Sequence, residues 1–235
     1  MTIMNEKNIV AIIPARGGSK GIPKKNLIDF CGKPLLAWSI IQAQNTPQIK
    51  KIYVSSDSDV ILECAEKYDA VGIKRPDDIA GDTAPSESAI AHACEQIGNL
   101  AETIVFLQPT SPLRKPDDIT KAIEVFDAGN YDSLFSACEL HDFLIWEKAN
   151  EGELKSFNYN YQNRTRRQDR SSQYVENGSI YIFKKNVIDK YNNRLGGKIG
   201  MFLMDFFQSF EIDNEDDVDL LMMIFKSKLL NYFKK

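Results

Sequence analysis

The sequence alternates short apolar runs with longer segments whose apolar residues recur at helical spacing. The short runs are rich in β-branched residues and end at turn-forming residues, a pattern that predicts buried strands. Three strong runs and three weaker ones follow this pattern: 9–13, 52–55 and 103–107, then 133–138, 179–183 and 200–204.

The helical segments lie between these runs, and several begin at a proline or a capping residue. We predict helices after Pro34, after Asp57 or Ser58, around 89–97, behind Pro116 and over about 215–233. Alternation of strands and helices is typical of an α/β fold. We therefore expect three layers, with a mostly parallel central sheet and helices on both of its faces.

Three loops are expected at the edge of this sheet where ligands bind, beyond the carboxyl ends of the strands. They are 14–26, 56–57 and 108–114. The alternation breaks down at 139–176, which is polar, aromatic and rich in arginine. We therefore predict one domain over 1–235, from which the segment 139–176 protrudes.

The composition limits the possible partners. Of the 235 residues, 43% are hydrophobic, and the net charge of -4 gives no overall attraction for nucleic acid. The four cysteines are widely spaced without a C-x-x-C pair, as in a reduced cytoplasmic protein. No run reaches the length of a membrane span, and the N-terminal residues lack the pattern of a signal peptide. We predict a cytoplasmic protein that binds neither nucleic acid nor a membrane.

A loop rich in glycine and basic residues follows the first predicted strand. It runs from Ile12 to Asn26 as IIPARGGSKGIPKKN and contains no acidic residue. Its glycines allow backbone N–H groups to approach an anion, and Arg16 and Lys25 are among the basic side chains that suit an oligophosphate. The loop matches neither the Walker A pattern nor the dinucleotide fingerprint. The alternative is a solvated basic loop, which its position behind the first strand disfavours.

The same loop resembles the signature of acylneuraminate cytidylyltransferases, the CMP-sialic acid synthetase family that includes CMP-legionaminic acid synthetases. Four further blocks are similar to motifs of this family and follow in the family's order. They are RPDDIAGDTAPS (75–86), FLQPTSPLR (106–114), ENGSIYIF (176–183) and FEIDNEDD (210–217). The resemblance covers nearly the whole chain, and the order of the blocks makes it specific.

The resemblance implies a nucleotidyltransferase with the fold of the nucleotide-diphospho-sugar transferases. Such an enzyme transfers CMP from CTP to the anomeric hydroxyl of a nine-carbon 2-keto sugar acid, releases pyrophosphate and uses Mg²⁺. Positioning and charge neutralisation dominate chemistry of this kind. The match to the family makes Arg16 and Lys25 catalytic. It also assigns nucleotide binding to Arg16, Gly17, Ser19, Lys25, Asn26, Arg75 and Ser86.

Two carboxylates, those of Glu211 and Asp213, stand two residues apart in FEID, on one side of an extended segment. Carboxylates in this arrangement suit Mg²⁺ that is bridged by phosphate oxygens. The residues alone equally fit the acidic N-terminus of a helix, because the acidic stretch 215–217 follows. The resemblance makes Asp213 and Glu211 metal ligands, although the family commonly has aspartate in place of Glu211.

The resemblance assigns three residues to the sugar acid, namely Gln108, Arg167 and Tyr181. From the residues alone, Gln108 also suits an amide that serves loop carbonyls, and Tyr181 equally suits core packing. Arg167 lies in the arginine-rich stretch 164–170, which is also compatible with a solvated surface. In the family, the protruding segment forms a homodimer and supplies basic residues to the neighbour's sugar site.

Two departures from the family bear on which sugar is bound. Val175 stands where the family has an arginine, and RLGGK at 194–198 replaces paired aromatic residues. Less charge and less bulk favour a legionaminate-type acid over N-acetylneuraminate.

Two alternatives to this function stay open. One is a cytidylyltransferase for another 2-keto sugar acid such as Kdo, although enzymes for Kdo usually have a shorter first loop. The other is a non-catalytic, nucleotide-binding regulator on the same fold. The presence of Arg16, Lys25 and Asp213 argues against the regulator.

Overall fold

The computed structural model describes residues 7–19, 21–81, 84–140, 143–148 and 152–233, and for Arg167 only the backbone. The strands in these ranges are β1 (Ile9–Pro14), β2 (Asp29–Phe30), β3 (Lys33–Pro34), β4 (Ile49–Ser56), β5 (Val71–Lys74), β6 (Thr103–Leu107), β7 (Ser133–Glu139), β8 (Trp146–Lys148), β9 (Leu154–Ser156), β10 (Tyr174–Lys184) and β11 (Ile199–Met204). The helices are α1 (Leu35–Gln44), α2 (Asp59–Lys67), α3 (Ser86–Ile97), α4 (Asp118–Ala128), α5 (Lys185–Tyr191) and α6 (Glu215–Lys228).

A seven-stranded central sheet has the order β11–β7–β10–β6–β1–β4–β5. Neighbouring strands are parallel except at β10, which runs antiparallel to both β6 and β7. The predicted α/β fold with a mostly parallel sheet is therefore confirmed, and each of the six predicted strands is present. The short strands β2, β3, β5, β8 and β9 and the short helix α5 were not predicted, because each contains few consecutive apolar residues.

Helices cover both faces of the sheet and bury two hydrophobic clusters. On one face, α1, α2 and α4 pack over a cluster that includes Ala11 of β1 and Val105 of β6. On the other face, α3 and α5 cover Ile12 and Ile104 of the same two strands. These strands are almost entirely apolar because alternate residues pack against the helices on opposite faces of the sheet. Among the described helices, none combines the length and the apolar character that crossing a membrane requires.

Helix α6 closes a third hydrophobic cluster beside α1. Phe225 is fully buried there, and its ring centroid lies 4.6 Å from that of Trp38 and 5.4 Å from that of Phe30. The helix ends at Lys228, and a 3-10 turn continues to Phe233, so the predicted helix over 215–233 is shorter than expected. Aromatic packing thus joins the C-terminal part of the chain to the first helix.

The segment 139–176 lies largely outside the central sheet. Its two ends belong to β7 and β10, whereas β8 and β9 form a separate two-stranded sheet with each other. The Asn158 side chain accepts a hydrogen bond from the Ile145 N–H over 2.8 Å and donates to the Phe143 carbonyl over 2.9 Å, which fixes the residues around the hairpin. The role of this segment in dimerisation stays a prediction.

Replacing Phe225 by alanine should destabilise the protein by about 3–5 kcal/mol, because the change leaves a cavity between α6 and α1. Met223 lies in the same helix but is 66% exposed. The Met223→Ala control should therefore change the free energy of unfolding by less than about 0.5 kcal/mol. Urea denaturation followed by circular dichroism measures both values. Equal free energies for the two variants would show that α6 does not belong to the cooperative core.

Candidate active site

A cavity of about 490 Å³ opens at the carboxyl ends of β1, β5 and β6. Its wall also includes the start of α3 and the residue two positions before α6. Eight of the predicted site residues line it: Arg16, Ser19, Lys25, Asn26, Arg75, Ser86, Gln108 and Asp213. Three other predicted site residues, Gly17, Tyr181 and Glu211, lie outside this wall, and the side chain of Arg167 lies outside the described part of the chain.

Hydrogen bonds within the first loop, 14–26, and to other parts of the protein fix its conformation. The buried Asn26 side chain donates to the Arg16 carbonyl over 3.0 Å, which holds two separated parts of the loop together. The Gly17 N–H donates to the Asp57 carboxylate over 2.8 Å. This N–H is therefore engaged by a neighbouring loop in the structure, and the contact between Gly17 and a nucleotide stays a prediction. The side chains of Arg16 and Lys25 line the cavity instead.

Gly21 is required by close packing against the segment before α6. A Cβ atom at this position would overlap the backbone oxygen of Asp213, whereas one at Gly18 would meet nothing within 4 Å. Lys25 reinforces the contact, because its ammonium group donates to the Ile212 carbonyl over 2.9 Å and to the Asp213 carboxylate over 3.2 Å. The glycine-rich loop therefore brings basic side chains and a carboxylate together.

The two predicted metal ligands differ in their surroundings. The Asp213 side chain is 76% exposed, whereas Glu211 is half-buried beside Gly178. Gly178 has a φ of 64°, and a Cβ atom there would overlap the Glu211 carboxylate, so glycine is required at this position. Burial raises the pKa of Glu211, and the charge of Asp213 raises it further. A cation between the two carboxylates would relieve this repulsion.

The acidic residues that follow Asp213 serve the start of α6. The Asp217 carboxylate accepts hydrogen bonds from the N–H groups of Asp213, over 2.8 Å, and Asn214, over 3.0 Å. The Asn214 side chain in turn accepts from the Asp217 N–H over 3.1 Å, which completes a capping box. Asn214 and Asp217 therefore cap the helix, whereas Asp213 lines the cavity, and its role as a metal ligand stays a prediction.

Arg75 is a fixed part of the cavity wall. Its guanidinium donates to the Ser55 carbonyl over 2.7 Å and to the Ser55 hydroxyl over 3.2 Å, at the end of β4. The Arg75 N–H donates to the Ser56 carbonyl over 2.8 Å. Burial lowers the pKa of Arg75. Ser86, the first residue of α3, lines the same cavity.

Gln108 is positioned by a buried arginine that the sequence analysis did not identify as functional. The Arg114 guanidinium donates to the carbonyls of Gln108 and Ser179, each over 2.7 Å. It also donates to the side chains of Ser39, over 3.1 Å, and Gln42, over 2.9 Å, both in α1. Burial lowers the pKa of Arg114 to about 9, which leaves the side chain charged at neutral pH. A sequence signal exists, because Arg114 is the one charged residue in FLQPTSPLR.

Tyr181 lies in the core beside the cavity. It pairs with Phe106 across β10 and β6, with ring centroids 5.9 Å apart, and its hydroxyl donates to the Glu176 carboxylate. Burial raises the pKa of Tyr181. Arg194 lies over both rings and pairs with Glu87, 107 residues away in sequence, so no local pattern points to this pair. The contact between Tyr181 and a sugar stays a prediction.

Comparison with known sequences identifies the family. The profile of the family described as Cytidylyltransferase matches residues 10–235. The chain is 35% identical over 231 residues to the CMP-N,N'-diacetyllegionaminic acid synthase of Campylobacter jejuni, which covers 95% of this chain and 97% of that protein. It is 34% identical over 216 residues to N-acylneuraminate cytidylyltransferase A of Danio rerio, which covers 91% of this chain. The match spans about half of the Danio rerio protein, 49% of its length.

Comparison with solved structures agrees with the fold. The structure of CMP:2-keto-3-deoxy-manno-octonic acid synthetase complexed with CTP superposes with a TM-score of 0.72, over 94% of this chain and 99% of that one. At 15% identity, this likeness shows the fold alone. The family match and the sequence relatives confirm the resemblance found in the motifs: this chain belongs to the cytidylyltransferase family.

Proposed function

We propose that the protein transfers CMP from CTP to the anomeric hydroxyl of a nonulosonic acid, in the cytoplasm, with release of pyrophosphate. One observation carries the proposal: Arg16, Lys25 and Asp213 line a single cavity at the strand ends of a cytidylyltransferase fold. The class of sugar acid is supported by relatives at 34% and 35% identity that are named for N-acylneuraminate and diacetyllegionaminate.

The reaction requires the chain to bind a triphosphate and to neutralise charge. The anomeric oxygen attacks the α-phosphorus of CTP and loses its proton, and the bond to pyrophosphate breaks. Negative charge grows on the leaving oxygen, so fixed cations lower the barrier. Arg16 and Lys25 supply these cations. Lys25 is already held by the Ile212 carbonyl, which reduces the reorganisation needed when the triphosphate binds.

The base and ribose of CTP are assigned to the other wall of the cavity. Arg75 and Ser86 line it, and the buried Asn26 fixes the backbone at Arg16. Because the Arg75 guanidinium is held by Ser55, it offers a rigid edge to a planar base.

We further propose that Mg²⁺ is held by Asp213 and Glu211 together with the triphosphate. Bound there, the ion would neutralise phosphate oxygens and orient them for attack. The donors suit this metal, which commonly takes one or two carboxylates and completes its shell with phosphate oxygens and water. Within the described residues, no group of three or more His, Cys, Asp or Glu side chains is placed to hold a metal ion. The proposal accordingly assigns the remaining positions to the substrate and to water.

The sugar acid is assigned to the end of the cavity at Gln108. The Arg114 guanidinium fixes the Gln108 backbone, and the Gln108 side-chain oxygen lies 3.2 Å from where a Cβ atom of Gly178 would stand. The Glu211 carboxylate lies beside the same Gly178 position, so Gln108 and Glu211 are neighbours. A sugar bound at Gln108 would therefore have its reacting hydroxyl close to the proposed metal ligands. A sugar carboxylate also needs a cation, for which Arg167 is the candidate because its planar fork grips a carboxylate at two points.

The function is tested by measuring pyrophosphate release from CTP and Mg²⁺ with three sugar acids: N-acetylneuraminate, a legionaminate and Kdo. We expect turnover with the two nonulosonic acids and a modest preference for the legionaminate. The departures at Val175 and 194–198 change the charge and bulk of the pocket, and such a change alters selectivity by about 1–3 kcal/mol. A tenfold preference for N-acetylneuraminate would overturn that preference alone. A preference for Kdo would overturn the sugar class, and CTP binding without turnover on any of the acids would favour the regulator.

The metal assignment is tested by replacing Asp213 with asparagine. The Mg²⁺ concentration needed for half-maximal CTP binding should rise on the order of tenfold to a hundredfold, since even indirect damage to a metal site has such effects. Asp216→Asn removes the same charge from the exposed first turn of α6 and is the matched control. Calorimetric titration at several Mg²⁺ concentrations measures both variants. An unchanged Mg²⁺ dependence in Asp213→Asn would refute this ligand.

We also propose that the segment 139–176 joins two copies of the chain. Large apolar side chains are exposed on it, including Phe143, Trp146, Leu154 and Phe157, the last at 66%. An exposed apolar surface of this kind is typical of protein interfaces. The segment also contains Arg167. In a dimer formed through this segment, Arg167 of one copy would enter the sugar site of the other.

Subunit mixing tests the shared site. Arg16→Ala and Arg167→Ala homodimers should each be nearly inactive, whereas mixed subunits should recover roughly a quarter of the wild-type rate. The reason is that half of the dimers are hybrids, and one of their two sites keeps both arginines. Light scattering confirms the dimer, and each variant remixed with itself is the control. Hybrid dimers without recovered activity would show that each site is built from one chain.

A further inference from the structure

We infer that Arg194 is a positioning residue for the reaction, which acts through Glu87 on the wall of the nucleotide cavity. The inference rests on the proposed use of this cavity for CTP. Arg194 lies between α5 and β11, in a stretch that the motif analysis noted for its departure from the family.

The Arg194 side chain is enclosed by aromatic rings. Its guanidinium carbon lies 4.8 Å from the ring centroid of Phe106 and 4.8 Å from that of Tyr181. These two residues are register partners on β6 and β10, and Phe106 lines the cavity. A flat guanidinium gains both dispersion and cation–π energy in this position, which a lysine ammonium reproduces only in part.

The same guanidinium holds the start of α3. Its Nε and Nη2 atoms both donate to Oε1 of Glu87, over 2.9 Å and 2.8 Å. Only 14% of the Arg194 side chain and 20% of the Glu87 side chain are exposed, so the pair is poorly screened by water. Glu87 directly follows Ser86, and both Ser86 and Ala89 of this helix line the cavity.

The backbone that presents Arg194 is itself anchored. The Ser133 hydroxyl accepts from the Gly196 N–H over 2.9 Å and donates to the Gly196 carbonyl over 2.8 Å. The Lys198 N–H donates to the Asp132 carboxylate over 2.9 Å. Arg194 therefore connects its anchored loop to β6 and β10 through the two rings and to α3 through Glu87. It thereby sets the distance across the cavity between Ser86 and Phe106.

This arrangement assigns Arg194 a role in nucleotide affinity rather than in the chemical step. Loss of the ion pair releases the first turn of α3, which widens the cavity on the Ser86 side, while Arg16 and Lys25 remain in place. The KM for CTP should rise on the order of tenfold, with a smaller change in kcat, as expected when two residues in contact are uncoupled.

The test is a double-mutant cycle on CTP affinity, measured by calorimetry with Mg²⁺ present. Arg194→Met and Glu87→Gln should each weaken CTP binding by on the order of tenfold, and the double variant should be no weaker than either single variant. Arg194→Lys should recover part of the affinity, because it restores the charge but not the flat stack. Thermal unfolding of each variant is recorded in parallel.

Lys198→Met is the matched control. Lys198 lies in the same loop, and its ammonium is 5.2 Å from the ring centroid of Tyr131, away from the cavity. This variant removes a cation from an aromatic ring and a hydrogen bond to the Gly129 carbonyl, and it should leave CTP affinity unchanged. Wild-type affinity in Arg194→Met, or strictly additive losses in the double variant, would overturn the inference. Failure of the wild-type protein to bind CTP would instead overturn the proposed function.

Discussion

The buried charge of Arg114 constrains the region on which the site is built. Its guanidinium joins the end of β6 to the Ser179 carbonyl of β10, and it reaches α1 through Ser39 and Gln42. A buried charge without partners costs several kcal/mol, so all of these acceptors must be in place when the core closes. The position of Gln108 at the cavity is therefore fixed by its hydrogen bond to the buried Arg114, and not by contacts within its own loop alone.

Much of the fold could be predicted because parallel strands are buried on both faces. β1 and β6 are almost entirely apolar, and β4 is buried over 52–56. The loops behind these strands meet at one edge of the sheet by geometry alone. For the same reason, most of the residues assigned to the nucleotide line one cavity. Glu211 and Asp213 also come to this edge, whereas Asn214 and Asp217 form the capping box of α6.

The remaining features depend on contacts between residues far apart in sequence. No local pattern shows that β10 runs antiparallel, that the Gly17 N–H is taken by Asp57, or that Glu87 pairs with Arg194. Tyr181 also illustrates this limit. Its strand was predicted, but its ring contact with Phe106 depends on the pairing of β10 with β6, which are far apart in sequence. Arg114 lay within a recognised block and was missed because a single charged residue does not reveal its burial.

The contact between Lys25 and Asp213 spans 188 residues, and this separation has a consequence for synthesis of the protein. At ribosomal rates of about 5–20 residues per second, roughly 10–40 s pass between the emergence of the first loop and that of its carboxylate partner. During this interval the nascent chain presents a basic loop, and Trp38 lacks the ring of Phe225 that covers it in the finished protein. The part of the cavity wall that includes Lys25 and Asp213 is completed only after the segment before α6 has left the ribosome. We therefore expect a nascent chain to lack this part of the candidate site until α6 begins to form.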